Sequence, residues 1–402
     1  MHVVVIGAGA FGGWTALHLR RNGARVTLLD AWGPGNSRAS SGGETRVIRL
    51  IYGGQRRYVE LTIRAFELWW QHEERWRHRL YQRTGALWLF GENCPDGDAY
   101  ARNALPLIDD PDFRIAKIPL EQLRASYPAI STHGLRSAFF EHEAGYLLAR
   151  DACAAVCEGF VAEGGEYRRE AARPGRIAGG AMHAVMLGGG ATLRADAFVF
   201  ACGPWLGRLF PEVIGDRIRP TRQEVLFFGT PPGAAAYDES SLPVWLEHGE
   251  RFVYGIPGDG RRGFKLADDT RGGPIDPTSD DRVVSPEAVA RARAFLARRF
   301  PALAAAPLVE SRVCQYEQTP DGDFILDRHP AAHNVWLAGG GSGHGFKMGP
   351  AVGELVARMV LGRAEPEAEF VLRRLVPGQT VRTGAATGPS SPSRLAAETS
   401  RP

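Results

Sequence analysis

The start of the chain carries the feature that most constrains the fold. Residues 2–6 form a short apolar, β-branched run that ends in the turn GAGAFGG. A segment with helical spacing follows, and a second apolar run then ends at Asp30. Strand, turn, helix, strand and acid together predict a βαβ unit whose turn holds Gly7, Gly9 and Gly12.

In such a turn, one glycine allows the tight bend, one lets the backbone approach a pyrophosphate, and one lets the helix pack closely. The N-terminus of the helix favours phosphate groups, and Asp30 can accept a hydrogen bond from a ribose hydroxyl. The unit therefore predicts a dinucleotide cofactor. It fits NAD nearly as well as FAD, so the turn alone does not decide between them.

Length and composition narrow the class of protein. A chain of 402 residues is long enough for two domains, and its net charge of +3 is small. No basic run alternates with aromatic residues and no apolar stretch could cross a bilayer, so neither nucleic acid nor a membrane is expected as a partner. The five cysteines lack CxxC spacing, which argues against disulfides and metal. We expect a cytoplasmic monomer or small homo-oligomer that acts on a small molecule.

Further along, several segments have clear periodicity. Residues 58–83 are predicted to form one long amphipathic helix, and residues 285–300 a helix capped by Ser285 with a proline in its first turn. The region before that second helix has antiparallel strands with Gly/Pro turns. A strand near residue 335 then leads into a second glycine-rich turn, which includes Gly343 and Gly345 and is expected to contact the cofactor.

Four segments resemble the monomeric sarcosine oxidase family, which also includes N-methyltryptophan and L-pipecolate oxidases. They are GAGAFG at the start, SSGGETRVIRLIYG at 40–53, GFKLADD at 263–269, and CQYEQTPDGDFILDRHP at 314–330 with GGSGHGFKMGP at 340–350. Their order and spacing agree over about the first 375 residues. The resemblance implies FAD as the cofactor.

The same resemblance implies covalent attachment of the flavin. In the family, the cysteine that matches Cys314 is bonded through sulfur to the 8α carbon of the flavin. The context Cys-x-Tyr-x-x-Thr-Pro-Asp is retained around it. A buried free cysteine is the alternative. Attachment needs a thiolate, which an electropositive setting would supply.

Lysine occurs only at Lys117, Lys265 and Lys347 in this arginine-dominated chain. Two of the three fall on family positions. Lys347 and Arg49 match cations that bind a substrate carboxylate, which favours an α-amino acid over a simple amine. A structural ion pair is the alternative for Arg49. Lys265 matches the lysine that helps the reduced flavin react with O2, where a cation stabilises developing negative charge.

Other matches complete the predicted site. Thr45 and Arg46 match residues beside the flavin ring, and Ser40 and Ser41 belong to a segment expected to follow the ribityl and pyrophosphate part of the cofactor. His344 and Tyr254 match positions that line the substrate pocket, with a satisfied interior polar residue as the alternative for each. Asp269 stands where sarcosine-oxidising members carry a histidine, and Ile256 where they carry a phenylalanine. A carboxylate there could recognise a second amine or reject an acidic substrate.

The predicted fold class is α/β, with a Rossmann-type FAD-binding domain interleaved with an α+β substrate domain built on an antiparallel sheet. The cofactor domain is assigned to residues 1–82, 148–218 and 322–375, the substrate domain to 83–147 and 219–321, and a disordered tail to 376–402. The implied function is oxidation of a secondary, N-methyl or cyclic amino acid to an imine, with O2 reduced to H2O2 and no metal. Alternatives are an amine dehydrogenase with another acceptor, and a non-catalytic flavoprotein subunit.

Overall fold

The computed structural model describes residues 1–94, 96–260 and 262–375, so the tail predicted for 376–402 lies outside the described residues. The helices are α1 (Ala10–Arg21), α2 (Arg56–Trp76), α3 (Gly97–Ala104), α4 (Leu120–Ser126), α5 (Ala149–Ala162), α6 (Leu206–Leu209), α7 (Pro286–Arg299) and α8 (Gly349–Val360). None of those in the described ranges is long and apolar enough to cross a membrane.

The strands fall into two large sheets and three small ones. In chain order they are β1 (His2–Ile6), β2 (Arg25–Leu29), β3 (Thr45–Ile48), β4 (Tyr81–Gln82), β5 (Ala86–Gly91), β6 (Ile115–Ile118), β7 (Leu135–Glu141), β8 (Gly145–Leu148), β9 (Glu166–Arg168), β10 (Ala172–Pro174), β11 (Ile177–Ala178), β12 (Ala181–Met182), β13 (Ala184–Leu187), β14 (Thr192–Arg194), β15 (Ala197–Phe200), β16 (Arg219–Phe228), β17 (Val244–His248), β18 (Phe252–Ile256), β19 (Phe264–Asp268), β20 (Leu308–Gln318), β21 (Ile325–Arg328) and β22 (Val335–Gly339).

The first large sheet has the order β21-β22-β15-β1-β2-β9, and its strand pairs are parallel except β21 with β22. Val3 and Val5 face a core shared with α1, α2, α5 and α8. Val4 and Ile6 face a second core, on the other side of the sheet, that includes Met182 of β12 and residues of β13. Because both faces are covered, the strands read as continuous apolar runs. The predicted Rossmann-type domain is confirmed.

The second large sheet has the order β20-β16-β19-β18-β17-β5-β7-β6. Its strands pair in antiparallel fashion except β17 with β5, which run parallel, so the predicted antiparallel sheet is in fact mixed. Helix α7 packs on it, and the predicted N-cap is confirmed because Ser285 Oγ accepts from Ala288 N at 3.2 Å. Its strands fall within the ranges assigned to the substrate domain, and the exact boundaries stay a prediction.

The prediction of one helix over residues 58–83 is wrong at its C-terminal end. Helix α2 stops at Trp76, where Arg77 adopts a left-handed conformation with φ 49°. The chain then reverses, and the carboxylate of Glu73 accepts from the backbone N–H groups of Leu80 and Tyr81. Tyr81 belongs to β4, which pairs with β8, so tertiary strand pairing overrides a helical pattern that continues in the sequence.

A separate three-stranded sheet, β3-β8-β4, carries part of the predicted site. Strand β3 carries Thr45 and Arg46, and Arg49 directly follows its end. The strand therefore delivers three of the predicted site residues within a span of about 15 Å.

Candidate active site and cofactor groove

The atoms around the first glycine turn leave little room for side chains. Gly7 has φ +107°, and a Cβ on it would lie 2.3 Å from the carbonyl oxygen of Ala201. A Cβ on Gly12 would lie 1.8 Å from the carbonyl oxygen of Gly7, and one on Gly9 would lie 3.0 Å from Ser41 Oγ. The turn thus keeps the backbone open toward the groove, as a pyrophosphate site requires.

The carboxylate of Asp30 accepts hydrogen bonds from three backbone N–H groups near this turn. Its Oδ2 accepts from Ala8 N at 2.8 Å, and its Oδ1 accepts from Trp32 N at 2.9 Å and Gly33 N at 2.7 Å. A carboxylate oxygen can accept about two hydrogen bonds, so Oδ2 retains one lone pair for a ribose hydroxyl.

One elongated groove joins the two glycine-rich turns. It runs from Asp30 past Gly9 to the turn after β22, and its lining includes most of the residues predicted to bind the cofactor: Gly7, Gly9, Asp30, Ser40, Ser41, Arg46, Gly343 and Gly345. Ser41 Oγ accepts from Ala10 N at 2.9 Å and so ties the predicted ribityl segment to the N-terminus of α1. A long groove over a helix N-terminus, with glycines where a Cβ would intrude, fits an FAD.

Cys314 lies beside this groove, in a small adjoining cavity that shares Ala39 and Arg46 among its lining residues. The half-buried Arg46 places its guanidinium Nη2 3.4 Å from Cys314 Sγ. The same guanidinium donates to main-chain oxygens of Ser40 at 3.0 Å, Gly42 at 2.5 Å and Thr45 at 2.9 Å. A fixed cation therefore faces the sulfur.

Lys265 is brought to the same place by β19. Its Nζ donates to Thr45 O at 2.8 Å and lies 3.2 Å from Thr45 Oγ1, and the side chain is 2% exposed. Burial, and next the charge of Arg46, lower the pKa of Lys265 to about 7. The Lys265 ammonium also lies 5.8 Å from the centre of the Tyr254 ring. The predicted residues Thr45, Arg46, Tyr254, Lys265 and Cys314 thus form one cluster.

Arg49 and Lys347 form a second cluster around Tyr52. The Arg49 guanidinium lies 4.0 Å from the centre of the Tyr52 ring and 5.2 Å from that of Trp88. Lys347 Nζ donates to the Tyr52 hydroxyl at 2.7 Å and to His344 O at 2.8 Å. Both cations are buried, and neither has a carboxylate within 4.0 Å among the described residues. Burial and the charge of Arg49 hold the pKa of Lys347 well below its usual range.

His344 is a neutral imidazole inside an aromatic wall. Its ring lies 4.9 Å from the ring centres of Tyr58 and Phe324, and its Nε2 is 3.0 Å from Gly322 O. Burial, and next the charge of Lys347, hold the pKa of His344 well below its usual range. Its Nδ1 lies 3.4 Å from the Tyr52 hydroxyl and its main-chain oxygen accepts from Lys347, so ring and backbone both contact the second cluster. Its role as a wall of the substrate pocket stays a prediction.

Asp269, just after β19, closes the second cluster. It accepts a 2.5 Å hydrogen bond from the Tyr316 hydroxyl and lies 3.5 Å from Arg271 Nη1. Burial raises the pKa of Asp269, against the charge of Arg271. The negative charge of Asp269 raises the pKa values of Arg49 and Lys347, so the carboxylate interacts electrostatically with both cations.

Sequence reasoning missed Glu141 as part of this site. Glu141, on β7 and 2% exposed, accepts from Leu50 N at 2.6 Å, Ile51 N at 3.1 Å and Trp88 Nε1 at 2.5 Å. It thereby fixes the turn that presents Arg49. A single acid in an alternating strand gives no signal of such a role. Tyr52 was also missed, although it stands inside the matched segment that ends in LIYG.

The comparisons with known proteins agree on the family. Residues 2–359 match the family model described as FAD dependent oxidoreductase, DAO. Monomeric sarcosine oxidase from Bacillus sp. (strain B-0618) is 31% identical over 369 residues, which cover 90% of this chain and 93% of that protein. N-methyl-L-tryptophan oxidase from Yersinia pestis (strain Pestoides F) is 26% identical over 370 residues, covering 90% and 96%.

Solved structures show the same fold. Glycine oxidase from Geobacillus kaustophilus superposes with a TM-score of 0.78 at 21% identity and covers 93% of this chain and 98% of that one. L-proline dehydrogenase from P. horikoshii superposes with a TM-score of 0.80 at 20% identity, covering 93% and 97%. The family match decides for FAD over NAD. It also confirms the resemblance drawn from the four segments, and the chain belongs to the DAO family of FAD-dependent oxidoreductases.

Proposed function

We propose that this FAD-dependent amine or amino-acid oxidoreductase oxidises the C–N bond of a secondary, N-methyl or cyclic amino acid to an imine. The electrons then pass to O2, which is reduced to H2O2. The observation that carries the proposal is the pair of buried cations, Arg49 and Lys347, that have no carboxylate partner among the described residues. Unpaired buried cations are costly, so the pair calls for an anion from the substrate. An α-carboxylate is that anion.

The chain's own residues would bind and orient the amino acid. Arg49 offers a planar fork and Lys347 a point charge to the carboxylate, while Tyr52 holds the two at a fixed spacing. Asp269 is the acceptor for the substrate amine, because Tyr316 donates to Oδ1 and Arg271 lies 3.5 Å from Oδ2, which leaves a lone pair on each oxygen. The FAD, when bound, accepts the hydride equivalent from the carbon next to nitrogen.

The cluster around Lys265 would serve the second half of the reaction. The cavity that it shares with Arg46 and Cys314 adjoins the cofactor groove. A buried ammonium there stabilises negative charge that develops on O2. We also propose that Cys314 is the covalent attachment point, supported by its contact with Arg46.

The test is anaerobic reduction of the flavin by a panel of secondary and cyclic amino acids, each paired with the amine that lacks the carboxylate. We expect bleaching of the flavin absorbance by amino acids only. Amines that bleach equally well would contradict the carboxylate assignment, and a panel that never bleaches the flavin would favour a non-catalytic subunit. Stoichiometric peroxide in air then separates an oxidase from a dehydrogenase.

Covalent attachment has its own test. Acid precipitation of the protein should leave the flavin in the pellet, and a Cys314→Ser variant should release it into the supernatant. A colourless wild-type pellet would show that Cys314 is not bonded to the cofactor.

A further inference from the structure

Glu317 faces the cofactor groove without any assigned role. It lies on β20, three residues after Cys314, and its side chain lines the groove. Its Oε2 accepts from Gly340 N at 3.2 Å, and its main-chain oxygen accepts from Ser342 N at 3.2 Å. A Cβ on Gly203 would come within 3.4 Å of Oε1. The carboxyl is thus inserted between two glycine turns that both border the groove.

In the part of the chain that the structure describes, no lysine, arginine or histidine nitrogen lies within 4.0 Å of the Glu317 carboxylate oxygens. The groups that face it are main-chain N–H groups of the β22 turn, the Ser40 hydroxyl and the Cys202 thiol. The groove's charged residues are Asp30, Glu170 and Arg46, and Arg46 is engaged by main-chain oxygens and Cys314.

Glu317 is half-buried in the groove, and removal of its carboxyl from water without a nearby cation favours the neutral acid. Desolvation raises the pKa of Glu317 to about 7, against the opposing effect of the N–H groups of Gly340 and Gly341. The buried Glu247, by contrast, is paired with Arg298 and Arg299.

The ligand of this groove is itself rich in negative charge and in acceptor oxygens. The pyrophosphate end lies at Gly9 and Ser41, and the groove continues past Glu317 to Tyr316 and Gly343. An ionised carboxylate there would repel the phosphates, whereas a carboxylic acid can donate its O–H.

We propose that Glu317 is a neutral carboxylic acid in the loaded enzyme and donates its O–H to an oxygen of the bound FAD, so that cofactor binding retains one proton. This inference rests on the assignment of the groove to FAD. Oε2 accepts from the turn after β22 while the protonated oxygen donates to the cofactor, so one side chain joins the protein backbone to the ligand.

The first test measures FAD affinity in a Cys314→Ser background, in which the cofactor can dissociate. Between pH 6 and pH 8.5 the Kd should rise about 30-fold, because Glu317 must regain a proton to bind. Adding Glu317→Gln, which keeps an acceptor and a donor but cannot ionise, should remove most of this pH dependence. Glu170→Gln is the matched control, because it removes the other glutamate of the groove, and its pH dependence should stay.

The second test uses the wild-type holoenzyme and does not depend on the serine variant. An infrared band of a protonated carboxylic acid should be present, shift in D2O, disappear in Glu317→Gln and persist in Glu170→Gln. A pH-independent Kd without this band would overturn the proposal and leave the FAD groove intact. Failure of the protein to bind FAD at any pH would instead overturn the groove assignment, and the proposal with it.

Discussion

Two buried cation clusters share strand β3 but are completed in different ways. At the start of the strand, Lys265 and Arg46 donate to main-chain oxygens of Thr45, Ser40 and Gly42. Beyond its end, Arg49 lies over aromatic rings and Lys347 donates to a phenol and one carbonyl. The donors of the first cluster thus have main-chain acceptors. In the second, Arg49 donates to Ile51 O and otherwise faces aromatic residues, and among the described residues no carboxylate lies within 4.0 Å of Arg49 or Lys347, although the charge of Asp269 acts on both.

This difference assigns the two clusters different roles in the proposed reaction. A cluster whose donors already have acceptors keeps its charge in one place, so it can stabilise charge that appears during a reaction without moving. Cations that lack a nearby anion are stabilised most when a bound ligand supplies one. We therefore expect changes in the first cluster to alter the reaction with O2, and changes in the second to alter substrate affinity.

The largest expected effect belongs to Lys265. Lys265→Met should slow the reaction of the reduced enzyme with O2 by about 10²- to 10³-fold, the loss typical of one electrostatic donor. Stopped-flow measurement of both half-reactions should show that reduction by substrate changes little. The exposed Lys117 provides the control, and Lys117→Met should change neither step. Equal loss of both half-reactions would contradict the separation of tasks.

The same residue predicts the pH dependence of that step. The active form of Lys265 is the ammonium, which is present below its pKa of about 7. In the wild type, the rate constant for the reaction with O2 should therefore fall as the pH rises through this value. In Lys265→Met the rate should be low and flat across the same range.

Arg49→Met should act on the second cluster. Loss of a charged hydrogen bond to the carboxylate costs about 1.5–3 kcal/mol, so the substrate Kd should rise by about 10- to 150-fold. The limiting rate of flavin reduction should change less. Anaerobic titration with the amino acid and with its carboxamide separates the effects, because the carboxamide should lose little affinity. An equal loss for both ligands would indicate a structural role for Arg49.

The sequence predicted the parts of the fold that local pattern determines. Gly7 and Gly12 of the first turn could be recognised because a Cβ on either would meet a main-chain oxygen, a constraint that any such turn shares. The end of α2 could not, because the left-handed Arg77 depends on strand pairing of Tyr81. The parallel pairing of β17 with β5 is also a tertiary outcome, since the register partners Val244 and Ala86 are 158 residues apart in the sequence and no local signal joins them.

The same distinction between local pattern and tertiary contacts applies to the residues of the site. Lys265, Arg46 and Cys314 were proposed from motif matches, and the structure brings them together in one cluster. Glu141 and Glu317 were not, because their significance arises from burial and from the backbone N–H groups that face them. Such partners come from distant segments, and an isolated glutamate in a strand gives no sign of them.

Glu141→Gln should have a moderate effect on stability and affinity together. The carboxylate accepts from three buried donors, and an amide offers one acceptor oxygen, so the free energy of unfolding should fall by about 1–3 kcal/mol. Because the turn that carries Arg49 loosens, the substrate Kd should rise as well. Chemical denaturation and anaerobic titration measure the two quantities. A stability loss without any change in Kd would show that the turn is held by other contacts.

The smallest expected effect is a change of specificity at Asp269. An ionised carboxylate near Arg49 and Lys347 should reject substrates with a second negative charge, so Asp269→Asn should raise kcat/KM for a dicarboxylic N-substituted amino acid relative to its monocarboxylic analogue by about 5- to 10-fold. Asp268→Asn is the matched control, because Asp268 pairs with Arg251 and is partly exposed. Its ratio should not change.

The pH dependence of this discrimination tests whether the charge of Asp269 causes it. Burial raises the pKa of Asp269, so the charge that rejects a second carboxylate is present above that pKa and lost as the pH falls through it. Wild-type discrimination should therefore weaken toward acid pH, whereas Asp269→Asn should discriminate equally weakly at every pH. Discrimination that is independent of pH in the wild type would assign the selectivity to shape instead of charge, and the second cluster would then bind its substrate through Arg49 and Lys347 alone.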